Sequence, residues 1–351
     1  MLKKFKIIFS SILFLLLLLM FHGINTHASV VNGIAMQPVY SSDQISKNGL
    51  LNPRVKPGSK VNLSFNIINL SYSTTDITVT PNTAVTSASP SIDYSKSNYK
   101  YDNSLKYNFR DFFDNKKINM KLQPKKATRI SFTAKIPKDG FNGIILGGFY
   151  ITTNQESTTN VNGTTLNNKY SYAMPVILKE DYKKAVPKLT LGDVQAQNTQ
   201  TGPVVTSEIY NKRPAMISGM TMTTDIKDSN GNSIFHNYTN SNSVAPNSNF
   251  LKSSYITKNN LNPGTYHIKI VAKSDVGNWV LEKDFNVSVS QYLSTVLQNN
   301  SFLWLIILLI ILVLLIILGY FIYRKIKKNK QANNLNKDDQ NVSRTNNNNF
   351  K

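Results

Sequence analysis

Ser97-Asn98-Tyr99-Lys100 has the S-x-x-K spacing at which a lysine can take the proton from a serine hydroxyl and make it a nucleophile, as in penicillin-recognising enzymes. Those enzymes place the serine at the start of a helix and add Ser-Asp-Asn and Lys-Thr-Gly motifs. Here the match lies in the polar stretch SPSIDYSKSNYKYDNS with neither companion. A chance match in a Ser- and Lys-rich loop is the plainer reading. Asp111 and Asp114 have the residue types of a glycosidase pair, one acid and one base or nucleophile across a scissile bond. They flank Phe112-Phe113 in a basic neighbourhood, where charge balancing explains them as well.

Other constellations fall away on residue type. Beyond the first 28 residues the only histidines are His236 and His267, so no H-E-x-x-H cluster exists. Cysteine is absent, which removes a thiol nucleophile. Asp228-Ser229-Asn230-Gly231 begins like a calcium loop but lacks the distal glutamate, and reads as a hairpin turn. Gly143 and Gly148 have P-loop spacing, yet Phe149 and Tyr150 stand where lysine and a hydroxyl residue belong. The run from Phe141 to Thr153 is β-branched and aromatic, so it predicts a buried strand whose Gly147-Gly148 pair marks a bulge or close backbone contact. These readings predict a protein that is not an enzyme and needs no cofactor or metal.

One charge cluster stands out. Lys116, Lys117, Lys121, Lys125, Lys126, Arg129, Lys135 and Lys138 fall within 23 residues that contain no acidic side chain. The first six form a candidate site for polyanions or cell wall, acting through long-range field and counterion release. A solvated, lysine-rich sheet edge that discourages aggregation is the competing reading.

The elements around these residues follow from topology and periodicity. Lys3, Lys4 and Lys6 precede an apolar run, Ile7 to Phe21, and Thr26-His27-Ala28 suits cleavage before Ser29, so residues 1–28 read as a signal peptide. Residues 302–323 are uncharged and apolar, with Trp304 at one end, Tyr320 and Tyr323 at the other, and Arg324, Lys325, Lys327, Lys328 and Lys330 following. This is a transmembrane helix with its basic flank, residues 324–351, in the cytoplasm. The Asn-rich end of that tail is expected to carry no fixed structure. No Leu-Pro-x-Thr-Gly sorting signal precedes the helix. An outer portion without cysteine suits a Gram-positive surface. The exterior polyanion there is teichoic acid, and nucleic acid is a poor partner.

Alternating patterns predict half-buried strands: Val61, Leu63, Phe65 and Ile67; Ile130, Phe132, Ala134 and Ile136; Met216, Met220, Met222, Thr224 and Ile226; Tyr266, Ile268, Ile270 and Ala272; Trp279, Leu281, Phe285, Val287 and Val289. Turn-forming dipeptides separate them and no soluble stretch has a helical period. The fold class is all-β, with two immunoglobulin-like antiparallel β-sandwich domains in tandem followed by a single transmembrane helix. The domains are placed at 29–180 and 181–290, with a spacer at 291–301. A polar excursion, Asn154 to Asn168, precedes the apolar run Tyr170 to Leu178, which can pair with either module and leaves the break open between about 155 and 185.

Several ordered pieces carry a resemblance. In the first module they are Asn52-Pro53-x-Val55-x-Pro57-Gly58, Ile92-Asp93-Tyr94, Asp102-x-Ser104-Leu105-x-Tyr107 and Phe141-x-Gly143-x-Ile145-Leu146-Gly147-Gly148. In the second they are Ala245-Pro246-Asn247-Ser248, Leu261-x-Pro263-Gly264-x-Tyr266 and Trp279-x-x-x-Lys283-x-Phe285. With the anchor, they resemble the WxL-interacting proteins of Gram-positive bacteria, whose modules are termed the peptidoglycan-binding and host-binding domains. The resemblance implies a non-enzymatic scaffold: a first module that engages peptidoglycan, a second that engages a host matrix component, and assembly with a WxL-domain surface protein. Trp279-Val280-Leu281 spells W-x-L inside a strand and is not read as the wall-binding WxL domain of the partner. Two other readings stand beside this one. One is an adhesin for host extracellular-matrix protein, and the other a wall hydrolase or transpeptidase resting on Ser97/Lys100 or Asp111/Asp114.

Overall fold

A computed structural model describes residues 33–161, 164–180, 185–199, 202–257, 261–292 and 301–347. The signal peptide expected at 1–28 and most of the spacer at 291–301 lie outside the described residues. The chain divides into two compact units. The first runs to Lys188 and also includes Asn211–Ser218 and Ser243–Asn249; the second comprises Leu189–Tyr210, Gly219–Asn242 and the chain from Phe250 onward.

In the first unit, β1 (Ile34–Val39), β2 (Lys60–Asn69) and β7 (Ala127–Lys135) form one sheet in the order β1-β2-β7. A second sheet has the order β6-β3-β8-β9, from β3 (Thr75–Thr83), β6 (Ile118–Leu122), β8 (Ile144–Val161) and β9 (Thr164–Lys179). A small pair, β4 (Val85–Thr86) with β5 (Ile92–Asp93), and a 3-10 turn at Phe109–Phe112 complete it. Period-two alternation turns Leu63, Phe65 and Ile67 of β2, and Ile130, Phe132 and Ala134 of β7, toward the core. Val61 is partly buried against the same core. Phe149 sits at its centre, stacked on Phe132 at 4.4 Å and Phe65 at 5.3 Å, with Phe113 edge-on at 5.6 Å. Each such ring contributes about 1.5–3 kcal/mol of burial, plus the aromatic geometry itself.

The Phe141–Thr153 stretch is strand from Ile144 onward, and close contact explains its glycine pair. A Cβ on Gly147 would stand 2.2 Å from the Phe109 ring, and one on Gly148 2.7 Å from Tyr94. The polar excursion is itself strand. After a register shift between Thr152 and Glu156, β8 and β9 stay paired to Val161↔Thr164, so the polar residues form the far end of a hairpin. Tyr170 to Leu178 therefore pairs with β8 of the first unit.

The second unit is built on a sheet ordered β10-β11-β14, from β10 (Leu189–Thr199), β11 (Gly202–Asn211) and β14 (Ser248–Tyr255). Its other sheet runs β13-β12-β15-β16, from β12 (Ile217–Asp228), β13 (Ser233–Val244), β15 (Gly264–Ser274) and β16 (Gly277–Val287). The antiparallel ladders β12–β15 and β15–β16 carry Ile268, Ile270, Ala272, Leu281, Phe285 and Val287 inward.

The Met216 expectation is corrected. Ala215 and Ile217 are buried, Ser218 and Gly219 both face out, and burial resumes at Met220, Met222, Thr224 and Ile226. Gly219, at φ +61, accommodates the extra outward residue, which reverses the alternation. Val289 is also corrected: β16 ends at Val287 and Val289 is exposed.

The remaining element is α1 (Ser301–Asn347), which contains the one stretch among the described residues long and apolar enough to cross a membrane, Leu305–Asn329. The helix continues through the tail, contrary to its composition, because extending an existing helix avoids the cost of nucleating one.

Candidate functional site

The six basic candidates lie along two sheet edges joined by a turn: Lys116 and Lys117 before β6, Lys121 on β6, Lys125 and Lys126 in the turn, and Arg129 on β7. All are exposed, but several are already engaged. Lys116 pairs with Asp111 at 3.1 Å, and neighbouring Lys135 with Asp114 at 2.6 Å. Lys125 donates to the Leu70 carbonyl and lies 3.8 Å from the centre of the Tyr72 ring. The Arg129 Nε–Asn66 Oδ1 separation is 3.4 Å. Lys117, Lys121 and Lys126 have no side-chain partner among the described residues. The chain therefore presents a narrower basic strip than the raw cluster suggests.

The catalytic candidates are not assembled for chemistry. Ser97 and Lys100 are both exposed in a loop rather than at a helix start. Asp111 and Asp114 are each held by a lysine. His236 pairs with Asp225, and His267 with its cross-strand neighbour Asp284, each at 2.6 Å on an exposed sheet face. Asp228 caps its hairpin turn, accepting from the Asn230 and Asn232 amides at 3.0 and 2.9 Å. Among the described residues no three His, Cys, Asp or Glu side chains converge as a metal site.

Sequence reasoning missed a cavity of about 580 Å³ in the first unit. Its walls are built by pieces that read, from sequence, as fold motifs. In Asp102-x-Ser104-Leu105-x-Tyr107, the Asp102 carboxylate accepts from the Ser104 amide at 2.8 Å, the Leu105 amide donates to the Asp102 carbonyl, and the Tyr107 hydroxyl reaches the Gly140 carbonyl at 3.1 Å. The Asp139–Gly143 loop forms a second wall. Gly140 and Gly143 there have φ of +66 and +69, a region that a side chain adopts only under strain. A Cβ on Gly143 would also stand 2.1 Å from the Pro214 carbonyl oxygen.

A third wall comes from Pro246-Asn247 and Lys212–Pro214, segments that pack in the first unit. Asn247, at φ +48, donates through its side chain to the Ser104 carbonyl at 2.9 Å and through its amide to the Arg213 carbonyl at 3.0 Å. The Ile144 amide donates to the Pro214 carbonyl at 2.9 Å. Beneath this wall Thr86 meets Ser248 at 2.6 Å and accepts from the Ala245 amide at 2.9 Å.

The cavity is lined by two cations, Lys106 and Lys212, two carboxylates, Asp139 and Glu180, and the rings of Tyr107 and Phe141. The Glu180 carboxylate accepts from the Phe141 amide at 3.2 Å. The Lys106 ammonium lies 4.8 Å from the centre of the Tyr107 ring. Tyr107 first, and Asp139 after it, favour its charged form and raise its pKa. These residues come from separate stretches of chain, and the glycine pair of the Asp139–Gly143 loop is the signal that could have pointed to them.

The described chain thus comprises two all-β units, the first with a walled polar cavity, and one apolar helix. The comparisons are specific. Residues 35–153 match the peptidoglycan-binding domain of the WxL Interacting Protein family and residues 161–294 match its host-binding domain. The two matches cover most of the chain, which belongs to the WxL-interacting protein family. Its domains are those of a cell-surface binding protein, directed to cell wall and host molecules.

No curated protein matches the sequence. Among solved structures, the Pseudomonas aeruginosa CupB2 chaperone is 9% identical, with 69% of this chain and 98% of that one covered at a TM-score of 0.27. The E. coli chaperone DraB is 12% identical, with 73% and 96% covered at 0.27. The Salmonella enterica SafA pilin in complex with the SafB chaperone gives 11%, 75% and 99% at 0.29.

Proposed function

We propose that this chain is a membrane-anchored surface protein that holds peptidoglycan through its first module and scaffolds a WxL-type protein complex. The carrying observation is the order of its parts: a peptidoglycan-binding match, a host-binding match, then an apolar stretch at Leu305–Asn329. The basic residues from Arg324 to Lys330 favour a cytoplasmic tail, so residues 29–300 are external after removal of 1–28. The module break falls near residue 180. Lys117, Lys121 and Lys126, with Lys116, Lys125 and Arg129 around them, supply a weaker, salt-sensitive contact with teichoic acid. The WxL-domain protein is a partner rather than a part of this chain.

The test sediments the full chain, purified in detergent, with cell-wall sacculi that are native or stripped of teichoic acid, at low and high salt. Binding that survives both treatments supports recognition of peptidoglycan itself. Binding lost on stripping or in high salt assigns the contact to the basic strip and overturns the leading reading. The host-binding match at 161–294 favours a second reading, adhesion to a host matrix protein through the second module. Loss of matrix-protein capture on replacing exposed side chains of the second unit, such as Tyr238 and Val280, with wall binding kept, would support it.

A further inference from the structure

We infer that the cavity of the first unit takes the stem peptide of peptidoglycan, recognised as a short chain bearing an ammonium and carboxylates; this rests on the wall-binding reading above. The cavity, about 580 Å³, has the size of an ordinary small-ligand site and holds a few residues rather than a strand of polymer. Its charges select the ligand class. Asp139 and Glu180 face a bound molecule from the same space as Lys106 and Lys212. A polyanion such as teichoic acid gains from the lysines and loses to the carboxylates, so the cavity gives it no net attraction. An uncharged N-acetylated glycan offers no charge to either sign.

A stem peptide answers both signs. Its diamino-acid ammonium suits Asp139 and Glu180, its carboxylates suit the lysines, and its alanine methyl groups pack on Tyr107 and Phe141. The walls are set before binding. Tyr107 is tied to Gly140, Phe141 to Glu180, and Asn247 to Ser104. Ordering these loops therefore costs little at the moment of binding.

The experiment uses the full chain in detergent and the peptide acetyl-L-Ala-γ-D-Glu-L-Lys-D-Ala-D-Ala as probe, with binding read by calorimetry and by competition against intact sacculi. The inference expects the peptide to bind and compete, acetylation of its lysine to weaken it at least about tenfold, and Asp139→Asn with Glu180→Gln to do the same. Glutamine at 180 retains an oxygen for the Phe141 amide, so folding is kept, and an unchanged melting temperature checks this. Lys106→Gln, at an exposed position, gives an independent loss. If the chain binds sacculi while the peptide neither binds nor competes, or while these variants stay within twofold of the parent, the cavity assignment is overturned and the wall-binding reading stands. If the parent chain does not bind sacculi at all, the wall-binding reading falls, and this assignment with it.

Discussion

Gly147 is where a single carbon decides the packing of the first unit. Its backbone is ordinary strand, so the constraint is space: a Cβ would stand 2.2 Å from the Phe109 ring and 2.8 Å from the Asn82 carbonyl oxygen. Gly147→Ala must displace an aromatic ring in full contact with its neighbours, and should cost at least about 1–3 kcal/mol in urea unfolding. Lys252 poses the opposite problem. It is only 8% exposed, has no partner among the described residues, and burial lowers its pKa below the usual lysine value. The unfolded chain holds this proton to a higher pH than the folded chain does. The penalty is therefore complete below the folded pKa and fades as pH rises toward the ordinary value. Lys252→Met should raise the melting temperature at pH 7 and lose that advantage by about pH 10–11. Tyr94 works the other way, since burial pushes its pKa up to about 12. Its contribution is present below about pH 10 and is lost as pH rises through the folded value, a loss that Tyr94→Phe should remove.

At the scale of elements, β12 shows why periodicity locates a strand better than it orients one. Met216 and Met220 share parity, yet Met220 is buried in the second unit while Met216 packs against a small cluster of Ala84, Leu146 and Ala245 in the first. The reversal occurs at Gly219, where a Cβ would meet nothing within 4 Å but φ is +61. Gly219→Val should therefore destabilise through the backbone alone, by about 1–2 kcal/mol. Ser218→Ala, one residue away on an exposed surface, should be nearly neutral in the same denaturation series. A similar limit applied to the β8–β9 hairpin. The polar composition of Asn154 to Asn168 carries no strand signal, because half-buried alternation is the main one. Here the ladder past Thr152 is held by backbone pairing, which composition does not report. By contrast, β2, β7 and β15 were legible residue by residue, because each has one face in a core and one in water.

Across the whole molecule, legibility falls with the number of segments a feature needs. The apolar helix depends on one contiguous run, and its length and composition announce it. The cavity needs Lys106, Asp139, Glu180 and Lys212 to meet, and no spacing rule connects residues so far apart in the chain. Its walls were visible only as motifs, Asp102 to Tyr107 and Ala245 to Ser248, whose shared role appears once Asn247 is seen on Ser104. The helix itself makes the last prediction. None of the side chains from Leu305 to Tyr323 is buried, so this surface has no protein partner among the described residues. At 1.5 Å per residue the uncharged run, residues 302–323, spans about 33 Å, enough to cross a hydrocarbon core of about 30 Å. Five basic residues between Arg324 and Lys330 lie on one flank, with none from Gln291 to Tyr323 on the other. By the charge rule, the proposed orientation puts this basic flank in the cytoplasm. On intact cells with the wall opened, external protease should remove a tag inserted after Ser29 and leave a tag after Lys351 protected until the membrane is permeabilised. Replacing Arg324, Lys325, Lys327, Lys328 and Lys330 with glutamine should yield a mixed population. Protection of the N-terminal tag in the parent chain would reverse the assigned topology and remove the first module from reach of the wall.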